Sequence, residues 1–262
     1  MTVDYTGTTA LITGASAGLG VEFARQFAAR GANLVLVARR GDRLDAVAEE
    51  LRSSVKVTTI VTDLAKPGAA AELAKTLAKK KIVVHSIVNN AGFGTSGRFI
   101  NEDPARISEE IDLNVGALVD LTRTFLPGML EHGRGALINV ASTAAFQPLA
   151  TMAVYGATKA FVLSFTEALW YETKKSGVGV LCLCPGATAT EFFDVAGNGN
   201  NRFGAMAAPA DVVKLALKTL DRPNAPPTVM HGARNRVNTT IGRYLLGRRA
   251  NVDIAAIFMR AN

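Results

Sequence analysis

With 262 residues, 48% of them hydrophobic and 19% charged, the chain can bury a large core without disulfides or a metal, and its composition excludes a disordered or disulfide-stapled protein. No run approaches the ~18 consecutive apolar residues of a membrane-crossing helix, and the N-terminus lacks the basic and long apolar regions of a secretory signal, so a cytoplasmic protein without a transmembrane segment is expected. The formal net charge is +7, an excess concentrated at the end of the chain.

Thr8–Thr13 reads as an apolar strand, and Gly18–Arg30 as a helix with Leu19, Phe23 and Phe27 on one face. Thr13-Gly14-Ala15-Ser16-Ala17-Gly18-Leu19-Gly20 joins them. A glycine turn at that crossing lets the backbone approach a diphosphate, while the helix N-terminus offers free N–H groups and a favourable dipole. Its spacing is G-x-x-x-G-x-G rather than the G-x-G-x-x-G of the dinucleotide fingerprint. A second strand, Asn33–Ala38, runs into Arg39 and Arg40. A site selective for NAD places an acid there; a guanidinium fork instead matches a 2′-phosphate. The expected cofactor is therefore NADP(H), with Arg39 as leading contact. The plainer alternative is that both arginines only end a surface strand.

Asp42–Arg52 and Ala69–Lys80 read as helices around a strand at Val55–Val61. Further strands are expected at Val83–Val88, Gly135–Val140 and Val178–Leu183, with a last short one at Thr228–Met230. Long helices are expected at about 110–130 and 154–175. Cys182 and Cys184 stand two apart in an apolar run, so both should face one side of a buried strand. Neither a C-x-x-C pair nor a histidine pair occurs, and His85, His132 and His231 are scattered, so no metal site is expected. Apolar strands alternating with helices imply an α/β fold: a Rossmann-type, doubly wound parallel sheet flanked by helices in three α/β/α layers. No linker or repeat divides the chain, so 1–262 reads as one domain.

Tyr155 and Lys159 are four residues apart, on one face of a helix. A free tyrosine is a poor acid or base near neutrality, and a nearby ammonium should lower its pKa. A bare Y-x-x-x-K pattern is weak evidence alone. It occurs here with Thr13–Gly20, Asp63-Leu64, Asn89-Asn90-Ala91-Gly92, Leu113-Asn114-Val115, Ser142 and Pro185-Gly186. Together, in this order and spacing, these motifs closely resemble the short-chain dehydrogenase/reductase family in its single-domain branch.

The resemblance implies roles. Ser142 would polarise the substrate oxygen, Tyr155 exchange the proton, and Lys159 hold the nicotinamide ribose and lower the tyrosine pKa. Asn114 would hold a water that links Lys159 to solvent. Gly14, Ser16, Gly18, Leu19 and Gly20 would frame the adenosine and diphosphate. Asp63, with Leu64, would meet the adenine, Asn90 would lie near the adenosine ribose, and Thr188 and Thr190 would contact the carboxamide. Plainer readings stand beside these: Asp63 as a cap, Asn89 and Asn90 closing a turn, Asn114 as a tolerated polar residue, and Ser142 satisfying backbone groups.

Phe93, Ala144, Phe146, Met152, Phe192 and Phe193 flank the expected site, so an apolar ketone, steroid or acyl carbonyl would suit it; the same residues can be plain core. A substrate loop is expected at about 190–208, either a lid or an ordinary exposed loop. From Met230 onward six arginines (Arg234, Arg236, Arg243, Arg248, Arg249 and Arg260) face one acid, Asp253. This basic segment, about 230–262, reads as a solvated helical face, or as a contact for an anionic acyl carrier or membrane surface. Nucleic acid is not expected, since aromatic interleaving is absent. The resemblance further implies a homodimer or homotetramer paired through the two long helices; Leu118, Leu121, Phe165 and Leu169 could serve that contact or equally face the sheet of their own chain. The alternative to an enzyme is a non-catalytic NADP(H)-binding sensor or regulator on the same fold.

Overall fold

A computed structural model describes residues 3–196, 206–244 and 247–260. In chain order the major elements are β1 (Thr9–Thr13), α1 (Gly18–Ala28), β2 (Asn33–Ala38), α2 (Gly41–Leu51), β3 (Val57–Val61), α3 (Ala69–Lys79) and β4 (Ser86–Asn89). There follow α4 (Pro104–Ile111), a π-helical turn (Asp112–Ala117), α5 (Leu118–His132), β5 (Ala136–Val140), α6 (Ala153–Glu172) and β6 (Gly179–Cys184). The chain continues with α7 (Phe192–Val195), α8 (Pro209–Leu220), β7 (Thr228–Met230), α9 (Ala233–Tyr244) and α10 (Arg248–Arg260).

The strands form one seven-stranded sheet in the order β3-β2-β1-β4-β5-β6-β7. Every neighbouring pair is parallel. Parallel pairing forces crossovers, and these carry the helices to both faces. Successive residues of β2 show the result. Leu34 and Leu36 enter a core with Phe23, Phe27, Leu44 and Val212 from α1, α2 and α8. Val35 and Val37 enter the opposite core with Leu73, Leu77, Leu121 and Met129 from α3 and α5. A strand exposes alternate side chains to opposite faces, so a wholly apolar strand needs both helical layers.

The strand order reverses between β1 and β4, which opens a crevice at the carboxyl ends of those strands. Asn90 fastens its floor. The backbone N–H groups of Asn90 and Ala91 donate to Thr13 Oγ1 at 2.9 and 3.0 Å, and Asn90 Nδ2 donates to the Thr13 carbonyl at 2.9 Å. Behind it, buried Asn89 donates to Thr122 and Asn139, and Asn139 to Thr166, tying β4, β5, α5 and α6 together.

Two expectations need correction. The fourth strand runs Ser86–Asn89, not Val83–Val88, because pairing with β1 starts only where Ser86 stands opposite Ala10. The helix expected from residue 110 begins at Pro104, capped by the Asp103 carboxylate on the Ala105 N–H at 3.0 Å, and widens into the π turn before α5. Of the two placements open to Leu118, Leu121, Phe165 and Leu169, the structure shows the inward one: Leu118 and Leu121 are buried in the chain's own core, and Phe165 and Leu169 pack against it. Cys182 and Cys184 share a buried face, with sulfurs 3.8 Å apart. Residues 197–205 of the expected substrate loop lie outside the described residues. Among the described residues no helix is long and apolar enough to cross a membrane.

Candidate active site

The glycine turn is shaped by close backbone approach. Gly14 and Gly18 have φ of +64° and +53°, a left-handed conformation that other residues rarely adopt. A Cβ on Gly20 would lie 2.2 Å from the Gly14 carbonyl oxygen. The N-terminus of α1 carries no side-chain cap and no acid in its first turn. Uncapped N–H groups at the positive end of a helix dipole, bordered by a tight glycine turn, fit the diphosphate of a dinucleotide. Leu19 packs its side chain into the core below.

The two arginines after β2 diverge. Arg40 donates through Nε and Nη2 to Ser16 Oγ at 3.3 and 3.2 Å, beside the glycine turn, and through Nη1 to Glu191 at 2.8 Å. Arg39 turns to α4 and pairs with Glu109 at 2.8 Å, which also accepts from Arg106 at 2.6 Å. Asp63 makes a local turn, accepting from the Ala65 N–H at 3.2 Å, and Leu64 is buried. Thr188 and Thr190 lie in the segment after β6. The Thr188 hydroxyl donates to the Gly186 carbonyl at 2.9 Å, and the Thr190 methyl sits against Gly18. That segment therefore bridges the crevice to the glycine turn.

Ser142, Tyr155, Lys159 and Asn114 meet at the carboxyl end of β5. Ser142 is extended and its hydroxyl accepts from the Ala144 N–H at 3.1 Å. The Ser142 side chain stands next to Tyr155, near enough to favour its phenolate. One turn along α6, buried Lys159 donates from Nζ to the Val140 carbonyl at 2.9 Å, with Nζ 5.8 Å from the centre of the Tyr155 ring. Burial pushes the Tyr155 pKa up to about 12, against the pull of nearby Ser142. Burial also brings Lys159 down to about 8. The expected lowering of the tyrosine by its lysine is thus not found in this arrangement: the ammonium points to a carbonyl, and desolvation of the phenolate wins.

Asn114 lies in the π turn and is buried. Its Nδ2 donates to the Phe93 carbonyl at 2.8 Å and to Thr158 Oγ1 at 3.2 Å, while Oδ1 accepts from the Phe93 N–H at 3.1 Å. The side chain thus mimics a strand partner for Phe93 and links it to α6. One turn earlier stands Glu110, a site residue that sequence reading missed. It is fully buried, accepts at Oε2 from the N–H and hydroxyl of Thr95 at 3.1 and 2.9 Å, and leaves Oε1 unpartnered. Its i, i+4 spacing to Asn114 is the signal that would have found it. Burial raises the Glu110 pKa. Glu110 and Asn114 together clamp residues 93 to 95, and Gly94 between them packs on Tyr155: a Cβ there would lie 2.9 Å from the ring.

Of the apolar residues expected around the site, Ala144, Met152 and Phe192 surround Tyr155, the Phe192 ring 5.1 Å away. Phe193 stacks edgewise on Phe192 and is buried. Phe146 packs instead with a core beside α6, and Phe93 lies under the Arg106 guanidinium at 3.7 Å. Beyond Gly94 a cavity of about 310 Å³ is lined by Thr95, Ser96, Asn101, Glu102, Asp103 and Arg106 with Val195 and Ala196. This side of the site is more polar than the sequence leads one to expect, because Glu102 and Asp103 just before α4, and Arg106 in its first turn, line it.

Residues 8–200 match the family described as short chain dehydrogenase. The chain is 39% identical over 184 residues to sulfoacetaldehyde reductase 2 of Chromohalobacter salexigens, covering 70% of this chain and 73% of that protein. It is 32% identical over 222 residues to the very-long-chain 3-oxoacyl-CoA reductase of Bos taurus, covering 82% and 69%. Its structure is similar to that of a short-chain dehydrogenase from Sphingobium yanoikuyae in complex with NADPH, with a TM-score of 0.81, 36% identity, and 90% and 92% of the two chains covered.

Proposed function

The chain belongs to the short-chain dehydrogenase family of oxidoreductases, and on that premise we propose that it is an NADP(H)-dependent reductase of carbonyl compounds. The observation that carries this reading is buried Tyr155 with Ser142 beside it and buried Lys159 one turn along α6, its Nζ 5.8 Å from the centre of the tyrosine ring. The nicotinamide, when bound, supplies or accepts the hydride. The chain's residues do the rest. The Tyr155 phenol carries its proton at neutrality and is positioned to give it to a substrate oxygen that gains charge, with the Ser142 hydroxyl as the second hydrogen-bond partner. Lys159, with a pKa near 8, keeps its proton at neutrality and adds positive potential beneath them.

The absence of an acid after β2 and the presence of Arg39 and Arg40 support NADP(H) over NAD(H), as does the NADPH held by the Sphingobium structure. Ser16, Asp63, Leu64, Asn90, Thr188 and Thr190 would complete the cofactor contacts. Ala144, Met152 and Phe192 favour an apolar body next to the carbonyl, of ketone, steroid or acyl type. The Arg106 side of the cavity gives such a substrate room for a polar end. The chain would work as one cytoplasmic domain in a homodimer or homotetramer. NADPH consumption against ketones, aldehydes and acyl thioesters tests the reading; NADH serving as well as NADPH would remove the cofactor assignment.

A further inference from the structure

Glu191 directly follows Thr190, whose methyl rests on Gly18 of the glycine turn. That contact carries the Glu191 carboxylate to the rim of the cofactor crevice. There it takes one guanidinium on each oxygen: Arg40 Nη1 donates to Oε2 at 2.8 Å, and Arg43 Nη1 donates to Oε1. Arg40 meanwhile holds Ser16. Two guanidiniums on one small anion, with a serine hydroxyl held by one of them, are groups that a phosphate monoester would use. The anion occupying that set belongs to the protein.

We infer that Glu191 is a built-in competitor for the 2′-phosphate of the cofactor, holding Arg40 and Arg43 until the phosphate displaces it. This rests on the NADP(H) reading above. It makes Glu191 a specificity-determining residue: a cofactor lacking the 2′-phosphate leaves the ion pairs in place, whereas one carrying it must break them. It also couples the two halves of the site. Glu191 precedes α7, and Phe192 at the start of α7 packs on Tyr155. Occupation of Arg40 by phosphate therefore frees the residue next to the wall of the catalytic pocket, and by linkage whatever draws Glu191 off Arg40 favours the phosphorylated cofactor.

The test is calorimetric titration of the intact chain with adenosine 2′,5′-bisphosphate and with 5′-AMP, probes that differ only in the 2′-phosphate. The ion pairs are half-exposed, so each is worth little. Glu191→Gln should bind the bisphosphate roughly two- to tenfold more tightly and 5′-AMP as wild type does. Glu191→Ala should do the same, which separates loss of the charge from any effect of the amide. Unchanged or weaker bisphosphate binding in both variants would overturn the inference, as would equal gains for both probes. Failure of the cofactor reading looks different. In that case the wild type itself would not prefer the bisphosphate, and Arg40→Gln would leave its binding unchanged, so both claims would fall together.

Discussion

Tyr155 carries the chemistry because of where its hydroxyl sits. Its ring is buried, with Ser142 beside it and Lys159 one turn along α6. Tyr155→Phe should keep NADPH binding and lose about 10²–10⁴-fold in turnover, measured as kcat beside a cofactor titration. Near-wild-type turnover would take the role away from this residue. Glu110 is the complementary case, a buried acid that the Tyr–Lys pattern gives no reason to notice. Its pKa is raised by burial first, with Thr95 pulling it down, Glu102 raising it and the Lys159 charge lowering it. A carboxyl raised in the folded state stabilises fully below its unfolded value, and that contribution is lost as pH rises through the folded value. Glu110→Gln cannot ionise and so should lose less stability than wild type as pH climbs above the ordinary carboxylate range. Melting temperatures taken across pH would show this; parallel curves for the two proteins would contradict it.

At the scale of elements, the parts legible in the sequence were those written in short-range pattern. The glycine turn, the apolar strands and the Tyr155-to-Lys159 helix face follow from spacing alone. The start of α4 did not, because its signals, Asp103 and Pro104, precede a segment with little apolar periodicity. The π turn around Asn114 is set by bonds to Phe93 and Thr158, distant in sequence. The helix α8 was overlooked although Val212, Val213, Ala216, Leu217 and Leu220 repeat with helical period and are all buried. Asn114→Ala should cost about 1–3 kcal/mol in unfolding free energy, because it strands both backbone groups of buried Phe93. Denaturant titration checks this, and a change well under 1 kcal/mol would mean that the clamp on residues 93 to 95 is held elsewhere.

For the whole molecule, seven parallel strands with helices on both faces bring segments far apart in sequence to one crevice. Asp63, Asn90, Ser142 and Thr188 all follow carboxyl ends of strands, so the order of motifs in the chain becomes a ring around the site. The described residues of the arginine-rich end form α9 and α10, and α9 lays Asn235 against Gly186, so it buttresses the turn after β6. Its exposed Arg248 and Arg249 leave the anionic-partner reading open to a salt-dependence measurement. On the surface of α6, Phe161 is exposed and stacks on Phe165 at 5.7 Å. If the proposed homo-oligomer pairs there, Phe161→Asp should lower the mass found by light scattering; an unchanged oligomer would place the interface elsewhere.

The central claim is that buried Tyr155 donates a proton while NADPH reduces a carbonyl. The most direct measurement is NADPH oxidation across a panel of ketones, aldehydes and acyl thioesters, with Tyr155→Phe run beside the wild type. The account predicts turnover on at least one carbonyl class that the substitution abolishes while NADPH still binds. Tight NADPH binding with no turnover on any class, or turnover that survives the substitution, would contradict it.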